Sequence, residues 1–211
     1  MKRTYESQQR RAQTEATRQR ILETARDLVV ERGYRGTTIA ELARRSDVHV
    51  NTIYELVGRK PVILRELVER AISGTDRPLD PIERDYVQQI TAEPDAGGKL
   101  DLYAAAMRRI LARLAPLFLA LRDASATDPE AAQVWSQISE RRAANMRLLA
   151  ADLLATGQLR NDLTVDEVAD TIWATNSPDL HRLLVEDRGW SPEHYQEWLA
   201  NSWRRMFLAE G

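Results

Sequence analysis

Residues 37–60 hold two short amphipathic runs separated by a brief break, and few folds accommodate that arrangement. Thr38 and Glu41 have capping-box spacing, Thr-x-x-Glu, which starts a helix at Thr38 and buries Ile39, Leu42 and Ala43. Arg44-Arg45-Ser46-Asp47 interrupts the pattern. Asp47 stands where such turns usually carry glycine, and Asp is among the few residues that tolerate the left-handed conformation. A second helix then buries Val48, Ile53 and Val57, leaving His49, Val50, Asn51, Thr52, Tyr54 and Glu55 on or near its outer face. This is the outline of a helix-turn-helix, whose second helix can enter a DNA major groove.

Just upstream, Ile21, Leu22, Ala25, Leu28 and Val29 make Thr17 to Arg32 an amphipathic helix. Gly33 is its natural C′ residue, and Tyr34 can tuck back beneath it. Pro61 suits the first turn of a further helix, where its missing N–H costs nothing. From residue 17 to about 72 the chain resembles the tetracycline-repressor (TetR) family of one-component regulators. It departs from that family's usual closing run at Leu56 and Val57, which replace His and Phe, and early in the recognition helix at Val50 and Asn51, which replace a basic residue and glycine. The base-reading contacts therefore do not transfer position for position.

The resemblance implies an all-α protein: an N-terminal three-helix helix-turn-helix domain joined to a larger C-terminal helical ligand-binding and dimerisation domain. The boundaries expected are a basic leader and helix-turn-helix over 1–60, a linking helix over 61–74, and an effector-binding and dimerisation domain over 75–211. It also implies a homodimer on a palindromic operator, a repressor that a small molecule releases, and Tyr54 and Lys60 as phosphate contacts. A regulator without a small ligand, or an all-α lipid or small-molecule carrier that has lost DNA binding, are the alternatives.

Composition agrees. Ala, Leu, Arg and Glu dominate, and no alternating Val/Ile/Thr run suggests a sheet. The absence of cysteine excludes disulfides and thiolate chemistry. The N-terminus is basic and polar, and the longest apolar stretch, Ile110 to Leu121, contains Arg113 and Pro116 and is too short to span a bilayer. A cytoplasmic chain with no membrane contact is expected. The net charge of −2 hides an asymmetry: residues 1–75 carry 15 Lys and Arg against 10 Asp and Glu, and residues 76–211 carry 15 against 22. A basic head on an acidic body suits a DNA-binding domain on a regulatory one.

Beyond Pro61 to Ser73, the spacing predicts a short helix over 81–91 and helices over 99–114, 116–125, 129–156, 164–176, 178–188 and 191–208, several begun by proline. Gly74 to Pro78 reads as the domain junction. Val165, Val168, Ala169, Ile172 and Trp173 form one stripe; Tyr195, Trp198, Leu199, Ser202, Trp203, Met206 and Phe207 form another. Both suit an intrachain core. Val165, Val168, Ile172, Trp198, Trp203 and Met206 equally suit a self-association surface, and the resemblance implies that two C-terminal helices pair with their mates.

On chemistry alone, Asn51 can bond an adenine edge, and Val50 and the Thr52 methyl can pack on a thymine methyl, with His49 beside them. Glu55 accepts from cytosine, pairs with Arg59 at i+4, or faces solvent. Tyr54, Arg59 and Lys60 can donate to phosphates, and Thr38 is either a plain cap or a further donor. Lys2, Arg3, Arg10, Arg11, Arg18 and Arg20 make a basic leader, read as either a disordered tail or a DNA-binding arm. The resemblance implies a cavity in the second domain, and Tyr103, Met107, Phe118, Trp135, Met146, Trp173 and Asn176 are either ordinary core or the walls of that cavity, for a largely apolar, uncharged or weakly charged effector. His181 and His194 lack ligand spacing and read as helix-surface or capping residues, so no metal is expected. No catalytic motif occurs, no cofactor is implied, and the chain does not read as an enzyme.

Overall fold

Ten α-helices carry the chain in the computed structural model, which describes residues 2–75 and 79–209, with side chains from residue 8. They are α1 (Lys2–Gly36), α2 (Ile39–Ser46), α3 (Val50–Leu56), α4 (Lys60–Ser73), α5 (Asp85–Ala92), α6 (Ala96–Ser125), α7 (Pro129–Ala155), α8 (Val165–Thr175), α9 (Pro178–His181) and α10 (Pro192–Phe207). A 3-10 turn (Pro81–Glu83) precedes α5, and a π-helical segment (Arg182–Asp187) follows α9. No strand is present among the described residues, and Leu159 and Leu208 form an isolated antiparallel bridge.

The N-terminal reading needs one correction. α1 runs back to Lys2 rather than beginning near Thr17, so the leader is helical and not a tail. Its Gln, Arg, Ala and Glu residues are good helix formers uninterrupted by Gly or Pro. The side chains of Lys2 and Arg3, and Asp76 to Pro78 of the junction, lie outside the described residues. Gly33 adopts φ 66° and kinks α1 ahead of its last three residues. That left-handed conformation is cheap only for glycine. Tyr34 then folds into the core at 7% exposure.

α6 is the central element, packed against α1, α4, α5, α7, α9 and α10. The two helices expected on either side of Pro116 are one. Proline removes a hydrogen bond and costs about 3 kcal/mol within a helix. Burial of Leu111, Leu114, Leu117, Phe118 and Leu121 on the flanking turns offsets that. α6 also starts three residues early, at Ala96, because the Asp95 carboxylate accepts from Gly98 N at 2.7 Å.

The C-terminal stripes face mainly inward. Val168, Ile172 and Trp203 are 0% exposed, so these three expected interface residues belong to the chain's own core. Trp203 donates Nε1–H to Thr175 Oγ1 at 2.8 Å and stacks on Tyr103 with centroids 5.5 Å apart. Val165 is exposed, and Trp198 and Met206 are half-buried. His181 is also a correction: it is buried, with its ring edge-on to Tyr195. His194 is exposed and packs against Trp190 with the rings tilted by 57°.

Candidate nucleic-acid interface and effector cavity

Short-range chemistry builds the helix-turn-helix. Thr38 caps α2, its Oγ1 accepting from Glu41 N at 3.1 Å. The reciprocal half of the box is absent among the described residues. Arg44 and Arg45 take the Glu41 carboxylate instead, at 2.8 and 3.0 Å, and hold its pKa down at about 2. Asp47 ends α2 with φ 52° and ψ 53°, its N–H donating to Ala43 O. The chain re-enters a helix at Val50. Ile53 and Val57 anchor α3, at 0% and 6% exposure. His49, Val50, Asn51, Tyr54 and Glu55 are exposed, and Thr52 is half-buried. The expected base-reading residues thus lie together at the N-terminal turn of α3, with Thr52 the least exposed of them.

The surrounding cations divide. Arg18 donates Nε–H to Leu56 O at 3.2 Å and pairs with Glu66 at 2.5 Å, tying the end of α3 to α1 and α4. Arg20 donates to Ser46 O at 3.1 Å. These two brace the motif. Arg10 and Arg11 are exposed on the α1 extension. The Arg59 side chain is 76% exposed and lies 3.9 Å from Glu130, so it does not pair with Glu55.

Lys60 is placed otherwise than a free phosphate donor. Its ammonium donates to Tyr34 O at 2.8 Å and sits 3.8 Å above the Tyr34 ring. Burial lowers its pKa. Tyr34 in turn donates its hydroxyl to Asp128, the N-cap of α7, at 2.5 Å. Burial and the Asp128 hydrogen bond raise the phenol pKa, and the same bond lowers that of the carboxylate. The head is therefore fastened to the larger domain through Tyr34.

In the second domain a cavity of ≈ 330 Å³ opens between α5, α6 and α7. It adjoins a smaller space of ≈ 80 Å³, and the two share Arg84, Tyr86, Tyr103, Asn145 and Met146. Tyr103, Met107, Phe118, Met146 and Asn176 of the candidate walls line this region. Trp135 and Trp173 do not: Trp135 packs against Phe118 at 4.6 Å, and Trp173 lies under the Arg142 guanidinium at 4.7 Å. Asn176 donates to Tyr103 Oη at 2.6 Å and accepts from Arg142, while Tyr103 donates to Met146 Sδ at 3.2 Å.

The lining departs from the expected charge-free wall, because Arg84, Arg141 and Arg142 all contribute to it. Sequence reading missed them. Arg142 stands four residues after Ile138 and four before Met146, both buried, so a charged residue occupied an apolar-stripe position on α7. That was the available signal. Arg84 gave none, since its burial depends on how the 3-10 turn meets α5.

Residues 21–56 match the family model for bacterial regulatory proteins of the tetR family. No curated protein sequence matches. Among solved structures, the chain is similar to a protein from Saccharomonospora viridis in complex with choline, at TM-score 0.71 and 21% identity, covering 93% of this chain and 100% of that one. It is similar to the transcriptional regulator FadR from Bacillus subtilis in complex with stearoyl-CoA, at TM-score 0.70 and 20% identity, covering 87% and 96%. A third is the MbdR regulator from Azoarcus sp. CIB, at TM-score 0.66 and 24% identity, covering 89% and 96%. These likenesses show a shared fold along nearly the whole chain. The helix-turn-helix segment thus matches the TetR family of bacterial regulatory proteins, and the chain as a whole shares the fold of these solved structures.

Proposed function

We propose that the chain is a DNA-binding transcriptional repressor, acting in the cytoplasm as a homodimer on a palindromic operator and released by a small molecule. One observation carries the DNA half: α3 is anchored by Ile53 and Val57 while His49, Val50, Asn51 and Tyr54 are left facing solvent. Asn51 supplies a bidentate donor–acceptor edge, and Val50 supplies an apolar contact for a thymine methyl. Tyr54, Arg59 and the N-terminus of α2 at Thr38 fix register on phosphates. We assign Lys60 chiefly to holding Tyr34. The exposed parts of α8 and α10, with Val165, Trp173 and Trp198, are the proposed dimer face. The ≈ 330 Å³ cavity supports a small-molecule effector over the ligand-free alternative. α4 packs on both α6 and α7, so a ligand that moves those helices shifts the head. Coupling of this kind is typically about 1–3 kcal/mol.

The test is selection from random-sequence duplexes followed by salt titration. Asn51→Ala costs about 1–3 kcal/mol at particular base pairs and little elsewhere. Arg59→Ala weakens binding to all sequences alike and reduces the salt slope by about one. A purified protein that enriches no duplex at any salt concentration would falsify the regulator reading. Sedimentation of the free protein at micromolar concentration tests the dimer, and a stable monomer counts against it.

A further inference from the structure

Two cations of the cavity lining, Arg84 and Arg142, have no carboxylate partner among the described residues. Arg84 is 6% exposed; its Nη2 donates to Leu79 O at 3.1 Å, and its Nε has no hydrogen-bond partner among the described residues. Arg142 spends its guanidinium on the Trp173 carbonyl and the Asn176 side chain, both neutral acceptors. Its nearest influential carboxylate, Asp179, is itself paired with Arg122. Partial burial lowers the Arg142 pKa, and no carboxylate is bonded to it among the described residues.

Acids near the cavity are already engaged. Asp152 on its wall holds the buried Lys99 ammonium at 2.7 Å. Arg141 pairs with Glu69, and at the outer rim the Glu83 carboxylate accepts from the Asp80 backbone N–H at 3.2 Å. Much of the remaining lining is apolar or aromatic, with Val87 and Ile90 from α5, Tyr103 from α6 and Met146 and Leu149 from α7. A buried guanidinium costs free energy unless it is paired. A protein retains such a group where something else completes the pair.

Given an effector-binding second domain, as proposed above, we infer that its ligand is a small amphiphilic carboxylate whose anionic head binds between Arg84 and Arg142 and whose apolar body fills the space between α5, α6 and α7. Arginine forks match a carboxylate with two parallel hydrogen bonds. The Asn176–Tyr103 pair holds Arg142 in place. A volume of ≈ 330 Å³ equals the liquid share of roughly eleven waters, which suits a straight-chain or monocyclic acid of about that many non-hydrogen atoms. The inference replaces the uncharged effector expected from sequence.

Octanoate, octan-1-ol and octylamine share one tail and differ in head charge. Calorimetric titration of the full-length protein at a pH near 8 compares them, in parallel with operator binding. Octanoate binds ~10-fold or more tightly than octanol, and octylamine most weakly. In Arg142→Gln and Arg84→Gln the preference for octanoate over octanol falls below ~3-fold, while Arg142→Lys keeps most of it. Wild-type selectivity needs no variant, so it decides the matter even if Arg142→Gln does not fold. Octanol or octylamine binding as well as octanoate overturns the anionic ligand and leaves an apolar effector standing. No binding by any of the three, with operator binding intact, removes both the carboxylate and the effector role of this cavity.

Discussion

Trp203→Ala lowers the stability of the protein by about 3–5 kcal/mol, the range for removing a large aromatic side chain from a well-packed core. The indole is fully buried, packed on Tyr103 and bonded to Thr175, and Tyr195, Leu199 and Phe207 of the same helix are buried with it. Truncation empties the contact between α10 and α6 and leaves the Thr175 hydroxyl without its donor. For a chain of this length each kcal/mol moves the midpoint by ~2–4 °C, so the melting temperature falls by roughly 6–20 °C. Thermal denaturation combined with sedimentation distinguishes this from an interface role. A variant that melts near the wild-type temperature but sediments as a folded monomer would return Trp203 to the dimer face.

The second large effect sits at the joint between head and body. Tyr34→Phe and Asp128→Asn each cost about 1–2 kcal/mol, the lower part of the range for a hydrogen bond to a charged group, because Tyr34 is buried but Asp128 is only half so. The double variant loses little more than either single one, since both remove the same bond. The pH dependence follows from the direction of the shift. The Tyr34 hydroxyl holds the folded pKa of Asp128 below its unfolded value. Its stabilisation is therefore fully present above ~4, the usual carboxylate value, and is lost as pH falls through the depressed folded pKa. Urea titrations of wild type and Tyr34→Phe between neutral pH and ~3 should converge at the acid end. Parallel curves that keep their gap would show that the loss does not depend on the Asp128 charge.

Local chemistry was legible in the sequence and long-range chemistry was not. Gly33, Thr38 and Asp47 act within four residues of themselves, and each adopts the conformation its chemistry prescribes. Ile53 and Val57 followed from helical spacing and are buried. Lys60 looked like a free cation because its partner, Tyr34, lies 26 residues away. Val168, Ile172 and Trp203 could not be divided between core and interface, because an apolar stripe reports that a face is covered and not by what. Pro116 misled for a related reason: its local cost is offset by neighbours contributed by other helices. The arginines of the cavity were hardest, since Arg142 meets Trp173 and Asn176 only through the packing of α7 on α8.

The stacking of Arg142 on Trp173 also gives the protein an optical signal of its own. Indole emission responds to charge held against its face, and here a guanidinium lies 4.7 Å from the ring while bonding the same residue's carbonyl. Whatever draws that cation toward the cavity changes the field at Trp173. Trp135, Trp190, Trp198 and Trp203 contribute a background, and a Trp173→Phe chain supplies the blank to subtract. Occupancy of the cavity can thus be followed by unlabelled fluorescence, in real time and at concentrations where DNA release is followed in the same cuvette.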